Sequence, residues 1–387
     1  MTAAADDGFP LAAQLAAHLS EDTLALCRIA SVTGDEGPIS AYLETRCQAA
    51  GARVERLGNT VMAWGPRSSG SSGERPSGRP CVALFGHSDT VLPASGQPIG
   101  IDGGRVYGCG ASDMKGGLAV MLALLEGALH HPDSVAVDLL CVFYDKEEGP
   151  AADSGMVQLC APGVLTGIDL AICLEPTDGI IHAGCLGGLQ ARVISPGRRA
   201  HSARPWHGEN AIYAALPLLT RLRDTPRREV LVGELPFYEV FVATQAETHN
   251  SRNVVPDRFI LNLNYRFAPG KSLAQARGEL LDFVAAAAAA PGSAGATSYH
   301  VEILDEAPSG RVCLDEPRLR AWRQRTGLEV AAKQAWTDVA RLTELGIPAI
   351  NFGPGDTAEA HQANESVSID ALVAGYHALA DLLRHAG

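Results

Sequence analysis

Five short stretches set histidines and carboxylates just past apolar runs or glycine turns, where they could bind a cation or move a proton. Residues 86–91 read GHSDTV and follow the apolar run Cys81–Phe85. In an extended chain, side chains two apart point the same way, so His87 and Asp89 share a face. A histidine beside a carboxylate is how a metal ligand and its orienting partner are commonly arranged, although the pair would equally suit a polar turn. Residues 107–117 read YGCGASDMKGG, with Asp113 opening an apolar helical pattern as a helix cap or as a ligand. The glycine spacing there fits neither phosphate-loop nor dinucleotide fingerprints. In YDKEEG, residues 144–149, the adjacent Glu147 and Glu148 project differently. They could divide cation binding from proton transfer, or form a solvated acidic turn. Glu175 follows an apolar run in LEPT, residues 174–177, and His361 closes GDTAEAH, residues 355–361.

Singly, each stretch has an ordinary structural use. Together, two histidines, one shared aspartate and two glutamates form the ligand set that a pair of divalent ions takes, with room for a water between them. Two such ions about 3.5–4 Å apart activate that water and polarise a carbonyl. Nitrogen and oxygen donors suit Zn²⁺. Cys109, beside Asp113, offers a thiol nucleophile instead, but with a full metal set present we assign it to packing.

These residues need a frame that gathers strand ends. Strand-like runs cover Val61–Trp64, Cys81–Phe85, Leu139–Tyr144, Leu170–Leu174 and Pro348–Phe352, and helical spacing covers about 10–30, 37–50, 114–131 and 369–385. Strands alternating with helices predict an α/β layered domain with a mixed, mostly parallel sheet. Such sheets place their sites at strand C-termini. The pattern changes after about residue 187. Gln190–Ile194 and Phe259–Tyr265 alternate like half-solvated strands, and helical patterns cover 209–223 and 272–290. The order β-α-β-β-α-β predicts a small inserted α+β, ferredoxin-like domain over 187–298, with 1–186 and 299–387 forming the main domain. Ser68–Pro76 reads as a flexible surface loop.

The 387 residues, 46% of them apolar, exceed what one core usually supports. The net charge of −13 argues against a general nucleic-acid or anionic-membrane binder. No segment has the apolar length of a membrane span. The first residues, MTAAADDGFPLAAQ, lack the basic start of a signal peptide. Nine scattered cysteines, with no C-x-x-C pair, suit a reducing cytoplasm.

The spaced set GHSDTV, YGCGASDMKGG, YDKEEG, LEPT and His361 resembles the di-zinc aminoacylase and carboxypeptidase (M20-type) metallohydrolase family over nearly the whole chain. The wording of AGCLGGLQ, GRRAHSARPWHGENAI, NVVPD, NYRFAP, WTDVAR and NFGPGD is similar to its actinobacterial-type succinyl-diaminopimelate desuccinylases. The resemblance implies a zinc exopeptidase-like main domain, an insert serving as dimerisation or lid domain, and a cytoplasmic homodimer holding two Zn²⁺, with Co²⁺ as a substitute.

By motif, the resemblance makes His87 the ligand of one ion and His361 of the other, bridged by Asp113. Glu175 completes the first site and Glu148 the second. Asp89 orients His87, Glu147 is the general base, and His201 is an oxyanion donor supplied by the other subunit. Asn253, Arg266 and Arg341 match substrate contacts, the arginines suiting carboxylates. The implied reaction removes an N-acyl group from a small amino acid, with N-succinyl-LL-2,6-diaminopimelate first. Acetylornithine-type deacetylation, dipeptidase or carboxypeptidase activity, or recruitment to another biosynthetic pathway are the alternatives. Two departures stand out: His182–Cys185 replaces an Arg-Arg pair found in proteobacterial desuccinylases, and the polar, bulky Gln245–Ser251 stands where relatives are glycine-rich.

Overall fold

The apolar run at 81 becomes the strand Cys81–His87, buried from Val82 onward. It lies in the middle of an eight-stranded sheet, in the order Arg53–Leu57, Thr60–Trp64, Asp138–Tyr144, Cys81–His87, Leu170–Cys173, Ala349–Asn351, Ile181–Ala183 and Val330–Ala332. The four strands from Asp138–Tyr144 to Ala349–Asn351 run parallel. Antiparallel pairs flank them. Strands buried on both faces need continuous apolar runs, and Asp138–Tyr144 and Leu170–Cys173 are buried throughout.

The structure is a computed structural model that describes residues 12–66, 78–289 and 298–386. The Ser/Gly loop expected at 68–76 and the first residues of the helix expected from 10 lie outside these. The chain divides into two compact units. The first runs to Gly184 and includes Val312–Ala331 and the chain from Arg341; the second is Cys185–Arg311 with Ala332–Ala340.

In the first unit, helices Ala12–Arg28, Gly37–Ala49, Gly116–His130 and Ile369–His385 cover the sheet. Gly116–His130 is buried continuously from Gly116 to Leu125, as expected of a helix that is apolar all round. It begins later than the expected residue 114. Asp113 and Met114 have non-helical backbones, and Lys115 occupies the cap position, so Asp113 is not the helix cap. Gly86 lets the central strand pass this helix closely: a β-carbon there would sit 2.5 Å from Leu118 Cδ2.

The second unit is an antiparallel five-stranded sheet in the order Arg228–Val232, Leu235–Glu247, Arg258–Phe267, Gly187–Pro196 and His300–Ala307. Helices Leu216–Asp224 and Leu273–Ala288 pack on the face carrying Leu189, Ala191, Val193, Leu261 and Leu263. This is the expected β-α-β-β-α-β unit with one added hairpin strand, Arg228–Val232. The helix expected over 209–223 is split into Ala211–Ala214 and Leu216–Asp224, with Pro217 opening the second.

The insert boundary at 298 needs correction. His300–Ala307 pairs with Gly187–Pro196, Val301 opposite Val193, which extends the second unit to Arg311. That strand carries Glu302, Asp305 and Glu306 on a largely exposed edge and lacks the apolar run that marks a buried strand. Among the described residues, no helix is long and apolar enough to cross a membrane.

Candidate metal centre

The C-terminal ends of parallel strands in the first unit carry the site. His87 ends its strand, and its Nε2 lies 3.1 Å from Asp113 Oδ1. His361 Nε2 lies 3.6 Å from Asp113 Oδ2 and 2.7 Å from Glu148 Oε1. One carboxylate therefore turns an oxygen toward each imidazole. Two groups of ligating atoms share it, His87–Asp113–Glu175 and Asp113–Glu148–His361, each within 4.8 Å of one another. A third group, His87–Glu147–Glu148, joins them. Two histidine nitrogens and carboxylates disposed around a shared aspartate fit a pair of divalent ions, each with one nitrogen donor.

Three turns present these groups. Glu147 and Glu148 follow the strand Asp138–Tyr144, and their main-chain amides donate to the two oxygens of Asp89, at 2.9 and 3.0 Å. Thr33 Oγ1 also donates to Asp89 Oδ2, at 2.9 Å. This clamp sits beside Lys146, whose φ of 58° costs a residue with a β-carbon about 1–2 kcal/mol. Asp89 reaches His87 as well: Nδ1 lies 3.0 Å from the Asp89 main-chain oxygen and 3.6 Å from its Oδ1.

The stretch NFGPGD runs between the turns bearing Asp113 and Glu175. Ser112 Oγ donates to the Asp356 carbonyl at 2.9 Å, and Gly353 N donates to Thr177 Oγ1 at 3.0 Å. Gly355 is required by this approach, because a β-carbon would stand 2.2 Å from the Ser112 oxygen.

Electrostatics match a site built for cations. Burial works against charge on His87, but Asp113 and Asp89 outweigh it and hold its pKa well above 6.5. Burial likewise opposes charge on His361, and Glu148 then Asp113 outweigh it, so its pKa is also raised. Glu148 is pushed up, first by burial and further by the Asp113 charge. Cys109 is buried, its Sγ donates to the Val91 carbonyl, and burial raises its pKa. It is held as a packed thiol, not as a nucleophile.

The structure thus brings together His87, Asp89, Asp113, Glu147, Glu148, Glu175 and His361. Arg341 also lies in the first unit and donates from Nη2 to the carbonyl of Ala151, three residues beyond Glu148. His201, Asn253 and Arg266 lie in the second unit. There His201 pairs with Val254, and Ser202 N donates to the Asn253 carbonyl, so His201 and Asn253 share one small ladder. The amide of Ala203 donates to His201 Nδ1 at 3.0 Å, which puts the neutral ring's proton on Nε2. Arg266 is half-buried on the strand Arg258–Phe267, and burial lowers its pKa, against the pull of Asp305. Sequence reasoning missed Thr33 and Glu365. Neither carries a sequence signal, since their partners are Asp89, 56 positions from Thr33, and main-chain amides.

An α/β sheet beside whose strand ends two histidines and four carboxylates gather around one shared aspartate is the arrangement of a metallohydrolase. Residues 83–385 match the family described as Peptidase family M20/M25/M40, and the chain belongs to that family, whose members hydrolyse amide bonds. A Mycobacterium tuberculosis protein bearing the succinyl-diaminopimelate desuccinylase name DapE is 37% identical over 368 residues, covering 94% of this chain and 96% of the relative. The Corynebacterium glutamicum succinyl-diaminopimelate desuccinylase is 34% identical over 356 residues, covering 90% and 91%. The solved structure of a Staphylococcus aureus tripeptidase shares the fold, with a TM-score of 0.77 at 20% identity, covering 96% of this chain and 98% of that one.

Proposed function

We propose that the protein is a dinuclear metal-dependent deacylase that hydrolyses N-succinyl-LL-2,6-diaminopimelate to succinate and LL-diaminopimelate, a step of lysine biosynthesis. The observation that carries the reading is the Asp113 carboxylate facing both His87 and His361, with Glu147 beside them. The full-length desuccinylase relatives support the substrate.

His87, Asp113 and Glu175 would hold one ion, and Asp113, Glu148 and His361 the other, as Zn²⁺ or Co²⁺. Such ions polarise the scissile carbonyl and lower the pKa of the attacking water. Glu147 takes that water's proton as its oxygen bonds to the carbonyl carbon. His201 donates Nε2–H to the developing oxyanion. Glu147 then delivers the proton to the amine as the C–N bond breaks, leaving a carboxylate and a free amino group. Arg266 and Arg341 bind substrate carboxylates, and Asn253 holds the substrate beside His201.

We also propose that the active form is a cytoplasmic homodimer. Trp206, Tyr213 and Leu216 are 72%, 69% and 52% exposed on one stretch of the second unit. The strand Leu235–Glu247 pairs its outer edge with Arg228–Val232 only as far as Glu239, leaving a strand edge suited to a second copy. All nine cysteines are thiols, which suits a reducing compartment.

The test is a metal assay paired with a substrate panel. Loaded protein should hydrolyse N-succinyl-LL-diaminopimelate faster than N-acetylornithine or dipeptides. A faster N-acetyl substrate would reassign the acyl group. Absence of bound metal with activity retained would overturn the mechanism, and a monomer in light scattering would overturn the assembly.

A further inference from the structure

Glu365, four residues after His361, is 1% exposed, and its carboxylate is filled by main-chain donors. Its Oε2 accepts from Gly110 N at 2.8 Å, and its Oε1 accepts from Ser112 N at 2.9 Å and Asp113 N at 3.0 Å. Its own carbonyl accepts from Gly108 N at 3.1 Å. All four donors belong to the turn that presents Asp113. The amides of Gly110, Ser112 and Asp113 meet this carboxylate where the backbone departs from regular helix: Gly110 is left-handed at φ 81°, and Asp113 sits at φ −124°, ψ 91°. The following strand, Ser366–Ser368, pairs with Arg105–Tyr107, Ser366 opposite Tyr107, and so fixes the two turns side by side. Lys115, 2% exposed, lies close enough for its charge to act on Glu365. A buried carboxylate is tolerated only where it is satisfied: burial and the Asp113 charge push the Glu365 pKa up, and the amides of Asp113, Gly110 and Ser112 pull against them.

We propose that Glu365 is a positioning residue of the metal centre. Its carboxylate sets the backbone of Gly110–Asp113 so that the Asp113 side chain offers one oxygen toward His87 and the other toward His361. Because the same turn bears His361, a single residue registers the bridge against the second histidine. The inference rests on the metal reading of this site.

The experiment uses the full chain and its Glu365→Gln and Glu365→Asp variants. In Glu365→Gln one acceptor becomes an NH₂ group facing a main-chain donor. Each protein, stripped of metal, is titrated with Co²⁺ against a competing chelator, its visible spectrum is recorded, and its melting is followed in excess chelator. Wild type should take up two ions. Glu365→Gln should bind Co²⁺ about 10- to 100-fold more weakly with an altered spectrum, beyond any lowering of its metal-free melting by the unmatched buried donor. Glu365→Asp, which keeps the charge but falls one methylene short, should lie between. Wild-type affinity and spectrum in Glu365→Gln would overturn the proposal alone. So would a lowered metal-free melting point with unchanged affinity, the mark of a purely structural role. If Glu365→Gln shows no cooperative melting, the same titration of Glu365→Asp decides. A wild type that binds neither Co²⁺ nor Zn²⁺ would overturn the metal reading, and this proposal with it.

Discussion

Asp89 accepts the main-chain amide of Glu147 on one carboxylate oxygen, at 2.9 Å, while its other oxygen takes the amide of Glu148 at 3.0 Å. The residue expected to orient His87 is therefore also the anchor of the turn carrying the proposed base and one proposed ligand. Asp89→Asn would turn one acceptor into a donor facing an amide. We expect metal affinity to fall about 10- to 100-fold, as when other partners behind metal ligands are removed. Metal titration of the variant checks this, and an unchanged affinity would show that the turn holds its shape without the clamp.

Glu147→Gln separates proton transfer from metal binding. The amide side chain fills the same space and leaves the main-chain bond to Asp89 in place, but it does not shuttle a proton at neutral pH. Turnover should fall about 10²- to 10⁴-fold, the usual contribution of general acid–base catalysis, with metal content unchanged. Retention of more than about a tenth of the activity would remove Glu147 from that role.

Metal loading should release protons. His87 and His361 both have raised pKa values in the metal-free site, where carboxylates outweigh burial. An imidazole must be neutral to bind a metal, so each cation displaces protons that the free site holds. The sign follows: apparent affinity rises with pH through the neutral range and falls as the solution is acidified. Calorimetry in buffers of different ionisation enthalpy reads the proton count directly. No release near neutral pH would show that both rings are already neutral.

The strand ends were legible because parallel strands buried on both faces need uninterrupted apolar runs, and His87, Glu147 and Glu175 stand just where such runs stop. Asp113 was legible as a residue but not as a geometry. Glycines and a following apolar stretch suggest a helix from 114, whereas the backbone at Asp113 and Met114 is non-helical and the Asp113 amide bonds a carboxylate 252 positions away. Side-chain type gives no sign of a bond to a main-chain amide, so Glu365 stayed hidden. The insert boundary was missed for a related reason. His300–Ala307 is an acidic edge strand, and its place is fixed by pairing with Gly187–Pro196, not by any pattern of its own.

Gly355→Ala tests the close packing behind the Asp113 turn. Its β-carbon would meet the Ser112 main-chain oxygen at 2.2 Å, and a backbone atom cannot rotate away. Overpacking of this kind costs about 1–3 kcal/mol, readable from denaturant unfolding, and should also weaken metal binding by shifting Asp113. Gly278→Ala is the control. It faces open space within the helix Leu273–Ala288 and should stabilise by about 0.5–1 kcal/mol. Equal effects of the two substitutions would show that the approach at Gly355 is not tight.

His201→Ala should lower turnover while leaving metal content untouched, because His201 belongs to the second unit and the metal donors to the first. Mixing it with Glu147→Gln then asks which subunit the histidine serves. If His201 acts on the other subunit's site, a mixed dimer pairs an intact Glu147 with an intact His201 at one of its two sites. Statistical exchange makes half of the dimers mixed, so activity should recover to about a quarter of the wild-type value. If His201 acts within its own subunit, every site in the mixed dimer lacks one of the two groups, and activity stays at the level of the separate variants. Recovery well below a quarter, with exchange confirmed by a mass-tagged subunit, would therefore exclude the shared-site arrangement.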